Sequence, residues 1–241
     1  MKRKARGSLL NAIVFVGAVL TALVVFAALA AGGTSAARLT QREISATVLL
    51  YMGSPDPAYA DGVCSGSYLG NGLILTARHC VLEDPLDLNS ERLLYVKTRA
   101  GQTEMAHAAF ISQDTDFAIL RAPPLNADAA TVTCHMPRIG EPITYVGHAY
   151  GVFDWMVTHG EVADVTADPV VFARMTGGEA TLATLGWDHL VVATANDAPG
   201  NSGGPAFDAD GDLVGVVVAG IGTLSGFIPT SAVCDEVPRV Q

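Results

Sequence analysis

Eight residues late in the chain, Ala198-Pro199-Gly200-Asn201-Ser202-Gly203-Gly204-Pro205, set a serine among glycines. Glycine lets backbone N–H groups approach one point with no Cβ in the way, and acyl transfer needs such preorganised donors where an oxyanion will develop. Gly200 and Ser202 are the natural donors. A serine hydroxyl becomes a nucleophile only beside a base, and Thr76-Ala77-Arg78-His79-Cys80 ends an apolar strand on a histidine. Thr115-Asp116-Phe117-Ala118-Ile119-Leu120 opens another apolar run on an aspartate. Taken singly, each has a plainer use, as a flexible turn, a surface histidine or a strand-edge acid. Taken together, in the order His79, Asp116, Ser202, they describe a nucleophile, its base and the acid that orients the base.

In these motifs the chain resembles the chymotrypsin-fold (trypsin-like) serine proteases, and within them the bacterial branch whose serine motif reads Gly-Asn-Ser-Gly-Gly-Pro, here residues 200–205. That family shares the His, Asp, Ser chain order, which subtilisin and the α/β-hydrolases do not. The resemblance covers roughly residues 45–235. It implies an all-β protein of two packed six-stranded antiparallel barrels, with His79 and Asp116 from the first barrel, Ser202 from the second, and residues 121–138 as the crossover. It further implies a serine endopeptidase, with a protein or peptide substrate and no cofactor or metal. His79 would take the Ser202 proton and return it to the leaving amine, Asp116 would hold the imidazole tautomer, and the Gly200 and Ser202 N–H groups would receive the oxyanion. Asp114 is the rival acid, and strand alternation would turn it to the same side as Asp116.

Departures from the family carry their own expectations. Digestive members have an aspartate before the nucleophile, which pairs with a new N-terminal amine after activation; here that residue is Asn201, and no Ile-Val-Gly-Gly-like sequence opens the first barrel. Both absences predict a protease that needs no N-terminal activation cut. Arg78 stands where the family has alanine and is expected to point to solvent. The specificity pocket implied by the resemblance comprises Asn196, Val218, Gly220 and Gly226, an uncharged lining that predicts small or medium apolar side chains in the substrate. Asp197 beside Asn196 leaves open a carboxylate at the pocket base.

The resemblance also pairs Cys64 with Cys80 across the histidine loop, and Cys134 with Cys234 between the middle and the end of the chain. Four cysteines allow three connectivities. Zinc bound by Cys64, Cys80, Cys134 and His135 is the alternative, without the Cys-x-x-Cys spacing that structural zinc usually has. Disulfides suit an extracytoplasmic setting.

Short strand-like runs broken by turn residues position these groups. In the first half they cover residues 46–52, 67–75 with Asn71-Gly72 as a turn, 93–98, 106–112 and 116–120. In the second half they cover 142–147, 155–158, 161–165, 170–174, 190–194, 205–207 and 213–218, with Asp208-Ala209-Asp210-Gly211 as a hairpin turn. Such spacing indicates a β-sandwich or barrel. The segments 145–151 and 158–162 resemble the opening hairpin of the second barrel in bacterial relatives, and His148 and His159 within them are expected to be exposed.

The first 37 residues differ from the rest. Lys2, Arg3, Lys4 and Arg6 precede residues 9–31, which carry no charge, and about 20 apolar residues suffice to span a bilayer as a helix. The flanking charges place the following chain outside the cytoplasm. An uncleaved anchor and a cleaved leader, with Ala28-Leu29-Ala30 as a cleavage-like site, both remain open. Residues 38–241 form the protease-like domain, with the first barrel at about 45–120 and the second at about 139–235. The chain carries 14 basic and 24 acidic residues; without the four N-terminal cations, ten remain against 24, a net charge of about −14. That surface disfavours nucleic acid and anionic lipid as partners. The chain end at Gln241 predicts no PDZ-like module after the second barrel. Three functions stay distinct at this point: an active endopeptidase, an inactive protease-fold binding module, and a serine esterase on the same scaffold.

Overall fold

The apolar run Thr47–Met52 forms strand β1, buried along its whole length. It pairs antiparallel with β2 (Gly62–Gly70). Asn71 and Gly72 both take left-handed backbone (φ 53° and 80°), the conformation of a two-residue hairpin turn, so β2 folds straight back on β3 (Leu73–Thr76). β4 (Leu94–Lys97), β5 (Thr103–Ile111) and β6 (Ala118–Arg121) complete a closed antiparallel barrel in the order β1-β2-β3-β6-β5-β4. The computed structural model describes residues 41–84, 87–175 and 190–236.

The second barrel closes in the order β10-β11-β12-β9-β8-β7, from β7 (Pro142–Ala149), β8 (Phe153–Asp164), β9 (Val191–Ala193), β10 (Pro205–Phe207), β11 (Leu213–Ile221) and β12 (Leu224–Pro229). The architecture implied by the resemblance, two six-stranded antiparallel barrels, is therefore the one observed. A short helix, α1 (Gln41–Ala46), leads into the first barrel, and α2 (Arg78–Val81) is a single turn after β3.

Three differences from the sequence reading have local causes. Of residues 155–158 and 161–165, expected as separate strands, all but Val165 belong to the one long strand β8, which continues through His159-Gly160. Gly160 permits this because a Cβ there would strike the backbone of Thr194 and Ala195. Residues 170–174, expected as a strand from their β-branched valines, lie in helix α3 (Pro169–Met175). Its start is set by Asp168, whose Oδ1 accepts from the N–H groups of Val170 (2.8 Å) and Val171 (3.2 Å); an aspartate cap followed by proline at the first helical position outweighs the valines' preference. β12 was not anticipated, because Ser225 and Gly226 interrupt its apolar run.

The crossover is stitched to the second barrel at Leu213, which bridges Val132 and exchanges hydrogen bonds with Thr131 and Thr133 (2.7 and 3.1 Å). Cys134–Cys234 ties the same connection to the C-terminal segment, and Cys64–Cys80 joins β2 to α2. With all four cysteines in disulfides, no thiolate is left for zinc, and that alternative falls. The proposed helix over residues 9–31 lies outside the described residues; among those described, no helix is long and apolar enough to cross a membrane.

Candidate active site

β3 and β6 are neighbours in register, with Thr76 opposite Ala118. His79 follows Thr76 by three residues and Asp116 precedes Ala118 by two, so this pairing delivers both side chains to the same end of the first barrel. His79 Nδ1 lies 2.8 Å from Asp116 Oδ2, and the His79 backbone N–H donates to Oδ1 at 3.0 Å. Asp116 is completely buried, whereas the His79 side chain keeps 22% of its surface exposed. Burial alone lowers the histidine pKa, but the Asp116 charge and hydrogen bond, helped by Asp197, outweigh it and leave the pKa raised above 6.5. Asp114 is exposed. The alternation that would have made it equivalent to Asp116 does not operate, because residues 113–116 form a bend ahead of β6.

Arg78 does not point to solvent. It is buried, and its Nη1 donates to the carbonyls of Ser112 (2.7 Å) and Gln113 (2.8 Å). The side chain thereby ties α2 to the bend that presents Asp116. A buried guanidinium finds its compensation in such carbonyl contacts.

Ser202 lies in the loop between β9 and β10. Its carbonyl oxygen accepts from the Ser65 N–H at 2.8 Å and sits 3.6 Å from the Cys80 sulfur, one residue from His79. Among the described residues, the Ser202 hydroxyl has no hydrogen-bond partner; such contacts commonly tighten only when substrate is bound. Gly203 has φ +81°, and a Cβ there would run into Thr76 Oγ1 and the Ser65 carbonyl, so only glycine lets the loop dock on the first barrel. Asn201 N–H donates to Ala198 O (3.0 Å), Gly203 N–H to Val217 O (2.7 Å) and Gly204 N–H to Asn201 O (2.9 Å). The N–H groups of Gly200 and Ser202 have no acceptor among the described residues. Two unpaired donors flanking Asn201 next to an Asp-His couple are the arrangement that stabilises an oxyanion.

The comparisons with known proteins bear on this site. The model of the family described as "Trypsin-like peptidase domain" matches residues 62–216. The chain belongs to the trypsin-like peptidase domain family. A curated relative, Protease Do-like 2, chloroplastic, from Arabidopsis thaliana, is 29% identical over 164 residues, 63% of this chain and 23% of the relative. The serine endoprotease from Yersinia pestis has a similar fold, with a TM-score of 0.64 and 20% identity over 83% of this chain and 64% of that one. The HtrA-type protease AlgW, solved with a tripeptide, gives a TM-score of 0.66 and 22% identity over 83% of this chain and 61% of its own. The chain thus spans less than two thirds of the length of each of these proteins.

The pocket residues are placed less simply. Asn196 is exposed and its carbonyl accepts from Thr158 Oγ1 at 3.0 Å. Val218 is buried in the barrel wall, and Gly226 faces Leu190 and Phe172. Gly220 faces Asp197, whose side chain would collide with a Cβ at that position. Gly220, one of the four expected lining residues, thus packs against a carboxyl group. Asp197 Oδ1 is buried with no hydrogen-bond partner among the described residues. Burial pushes its pKa up to about 6, against hydrogen bonding from the Ala198 N–H and the Asn201 amide and the charge of His79. Sequence reading did not find the roles of Ser65, His148 or Arg78. His148, expected to be exposed, is fully buried at the end of β7; its position in a nearly continuous buried strand was the available signal. His159 is exposed as expected, with Nδ1 2.9 Å from Thr144 Oγ1.

Proposed function

We propose that the chain is a serine endopeptidase that hydrolyses peptide bonds through Ser202, His79 and Asp116. The observation that carries this is the closed Asp116–His79 couple (2.8 Å) beside a serine loop whose Gly200 and Ser202 N–H groups have no acceptor among the described residues. His79 Nε2 removes the Ser202 proton as Oγ attacks the scissile carbonyl. The oxyanion moves into the two N–H groups, and the imidazolium formed is stabilised by Asp116. His79 then protonates the leaving amine, and water, deprotonated by the same imidazole, releases the acyl group from Ser202.

Asn201 supports a site that needs no activation cut. Its side chain is buried against Gly147, and an amide there has no charge for a new N-terminal ammonium to pair with. The domain spans residues 38–241, and its substrates are proteins or peptides outside the cytoplasm, where the disulfides persist. Whether residues 9–31 anchor it or are removed decides between a membrane-bound and a secreted form. In the substrate pocket the Asp197 carboxylate against Gly220 favours a cationic side chain over the apolar ones that the sequence alone suggested.

The test is labelling of the full chain with a fluorophosphonate, beside Ser202→Ala and His79→Ala variants, with the adduct located by mass spectrometry. The expected result is an adduct on Ser202 that disappears in both variants. A folded wild-type chain that takes no label refutes the catalytic reading and leaves a binding module. Labelling with hydrolysis of small esters but of no peptide in a substrate library turns it into an esterase.

A further inference from the structure

The loop that carries the Gly200 and Ser202 N–H groups is gripped at one residue of the opposite barrel. Ser65, on β2, donates its backbone N–H to the Ser202 carbonyl and its hydroxyl to the Gly200 carbonyl, each at 2.8 Å. The peptide between Gly200 and Asn201 is thus fixed at both ends, its oxygen by Ser65 and its N–H by Ala198 O at 3.0 Å. Rotating that peptide would swing the flanking Gly200 and Ser202 N–H groups away from a common point.

The Ser65 hydroxyl has two further neighbours, the backbone N of His148 and its ring Nδ1, both at 3.1 Å. A hydroxyl offers one hydrogen and two lone pairs. The His148 backbone N–H occupies one lone pair. With the imidazole proton on Nδ1, the second lone pair is also occupied, and the only hydrogen on Oγ has a single acceptor left, the Gly200 carbonyl. With that proton on Nε2, the bare Nδ1 competes with the Gly200 carbonyl for the same hydrogen. The position of one proton inside His148 therefore decides whether the loop is held.

The surroundings select the first arrangement. His148 is fully buried, its ring set edge-on to Trp155 at 4.6 Å, and its Nε2 has no hydrogen-bond partner among the described residues. A buried lone pair without a donor is tolerated better than a buried N–H without an acceptor. Burial, with the charge of Lys97, pushes the histidine pKa down to about 3, so the ring stays neutral. The His148 carbonyl also backs Gly200, where a Cβ would strike it.

We propose that Ser65 is a positioning residue for the Gly200 and Ser202 donors, and that His148, protonated on Nδ1, holds Ser65 in that role. The inference rests on the function proposed above. It predicts a defect in transition-state stabilisation with substrate binding left intact.

The test uses the full chain. Wild type is first labelled with the fluorophosphonate, and then kcat and KM for p-nitrophenyl acetate and inhibition by phenylboronic acid are compared among wild type, Ser65→Ala, His148→Asn and His148→Phe. Losing an oxyanion donor costs about 10²–10³ in kcat, and a displaced donor less, so S65A should lose about 10- to 100-fold in kcat with KM within about twofold. Phenylboronic acid, which forms a tetrahedral adduct, should weaken in parallel. H148N, which keeps a donor near the Nδ1 position, should retain most of the rate, and H148F should resemble S65A. Nitrogen-15 NMR of histidine-labelled wild type, assigned by difference with H148N, should show His148 with a protonated Nδ1 and a bare Nε2. A folded S65A with wild-type kcat, a loss confined to KM, or a proton on Nε2 overturns the inference. Should S65A fail to fold, the wild-type spectrum still decides through the proton position. A labelled wild type with an unimpaired S65A overturns the positioning role alone, whereas a folded wild type that takes no label overturns the catalytic function itself.

Discussion

Thr76 on β3 stands opposite Ala118 on β6, and this one rung sets the separation of His79 and Asp116. Each side chain leaves its strand within three residues of the rung, so the 2.8 Å contact between Nδ1 and Oδ2 follows from sheet register. Asp116 accepts from both the ring and the backbone N–H of His79. An asparagine there keeps the shape but presents an N–H to one of those donors, or forces the ring into the wrong tautomer. Asp116→Asn should therefore lower kcat by about 10⁴-fold with little change in fold. Steady-state kinetics beside a melting curve checks this; a loss below about tenfold would mean that Asp116 does not orient His79.

The pH dependence carries a second prediction. Only neutral His79 can accept the serine proton, and its pKa is raised above 6.5, in part by Asp197. The acid limb of kcat/KM should therefore have its midpoint above 6.5, and Asp197→Asn should move it to lower pH. Stability gives an independent readout. The folded-state pKa of Asp197 is raised from 3.8 to about 6, so the folded protein holds this proton more tightly than the unfolded chain. The stabilisation is complete below 3.8 and is lost as the pH rises through about 6. The advantage in Tm of D197N over wild type should grow between pH 4 and pH 7.5, as thermal unfolding at the two pH values would show; a constant difference would sink the assignment.

Most of the strands and the His-Asp-Ser order were legible because they depend on local signals: apolar runs of strand length, the Asn71-Gly72 turn, and glycines around Ser202; the closure into two barrels came only from the family resemblance. The residues that support the site were not legible, because their roles come from non-local contact. Nothing near Ser65 in the sequence says that its hydroxyl meets Gly200, 135 positions away. Arg78 reads as a solvent-facing charge until the carbonyls of Ser112 and Gln113 close over it. Asp197 reads in the sequence only as a neighbour of Asn196, and its packing against Gly220, 23 positions on, comes from the fold. The helix at Pro169–Met175 is signalled by Asp168-Pro169, a cap and first-turn proline that prevail over the strand preference of the two valines that follow.

Arg78 offers a third test. Its guanidinium binds two carbonyls at the bend that presents Asp116, and removing it takes a donor from the buried Ser112 carbonyl, at about 1–3 kcal/mol, and from the more exposed Gln113 carbonyl at less. Arg78→Met, which retains bulk, should lower stability by roughly 2–4 kcal/mol. It should also reduce kcat more than KM, because Asp116 is no longer firmly placed. Urea unfolding and steady-state kinetics measure the two effects. A variant as stable and active as wild type would mean that the bend is held by other contacts.

The two disulfides should differ in what their removal does. Cys64–Cys80 closes a short loop of separation 16 that contains β3 and ends one residue after His79, whereas Cys134–Cys234 spans 100 residues and encloses nearly the whole second barrel. By loop-closure entropy the short bridge is worth about 3 kcal/mol and the long one nearer 5. Replacing Cys134 and Cys234 by serine should therefore give the larger fall in stability while leaving kcat nearly unchanged in the fraction that remains folded, since neither cysteine adjoins the site. Replacing Cys64 and Cys80 should cost less stability but more rate, because Cys80 follows His79 directly and its sulfur lies 3.6 Å from the Ser202 carbonyl. Denaturant midpoints and active-site titration of both double variants separate the effects. The reverse order, with the rate lost on opening the long bridge, would place the coupling between the barrels, and not the histidine loop, in control of the site.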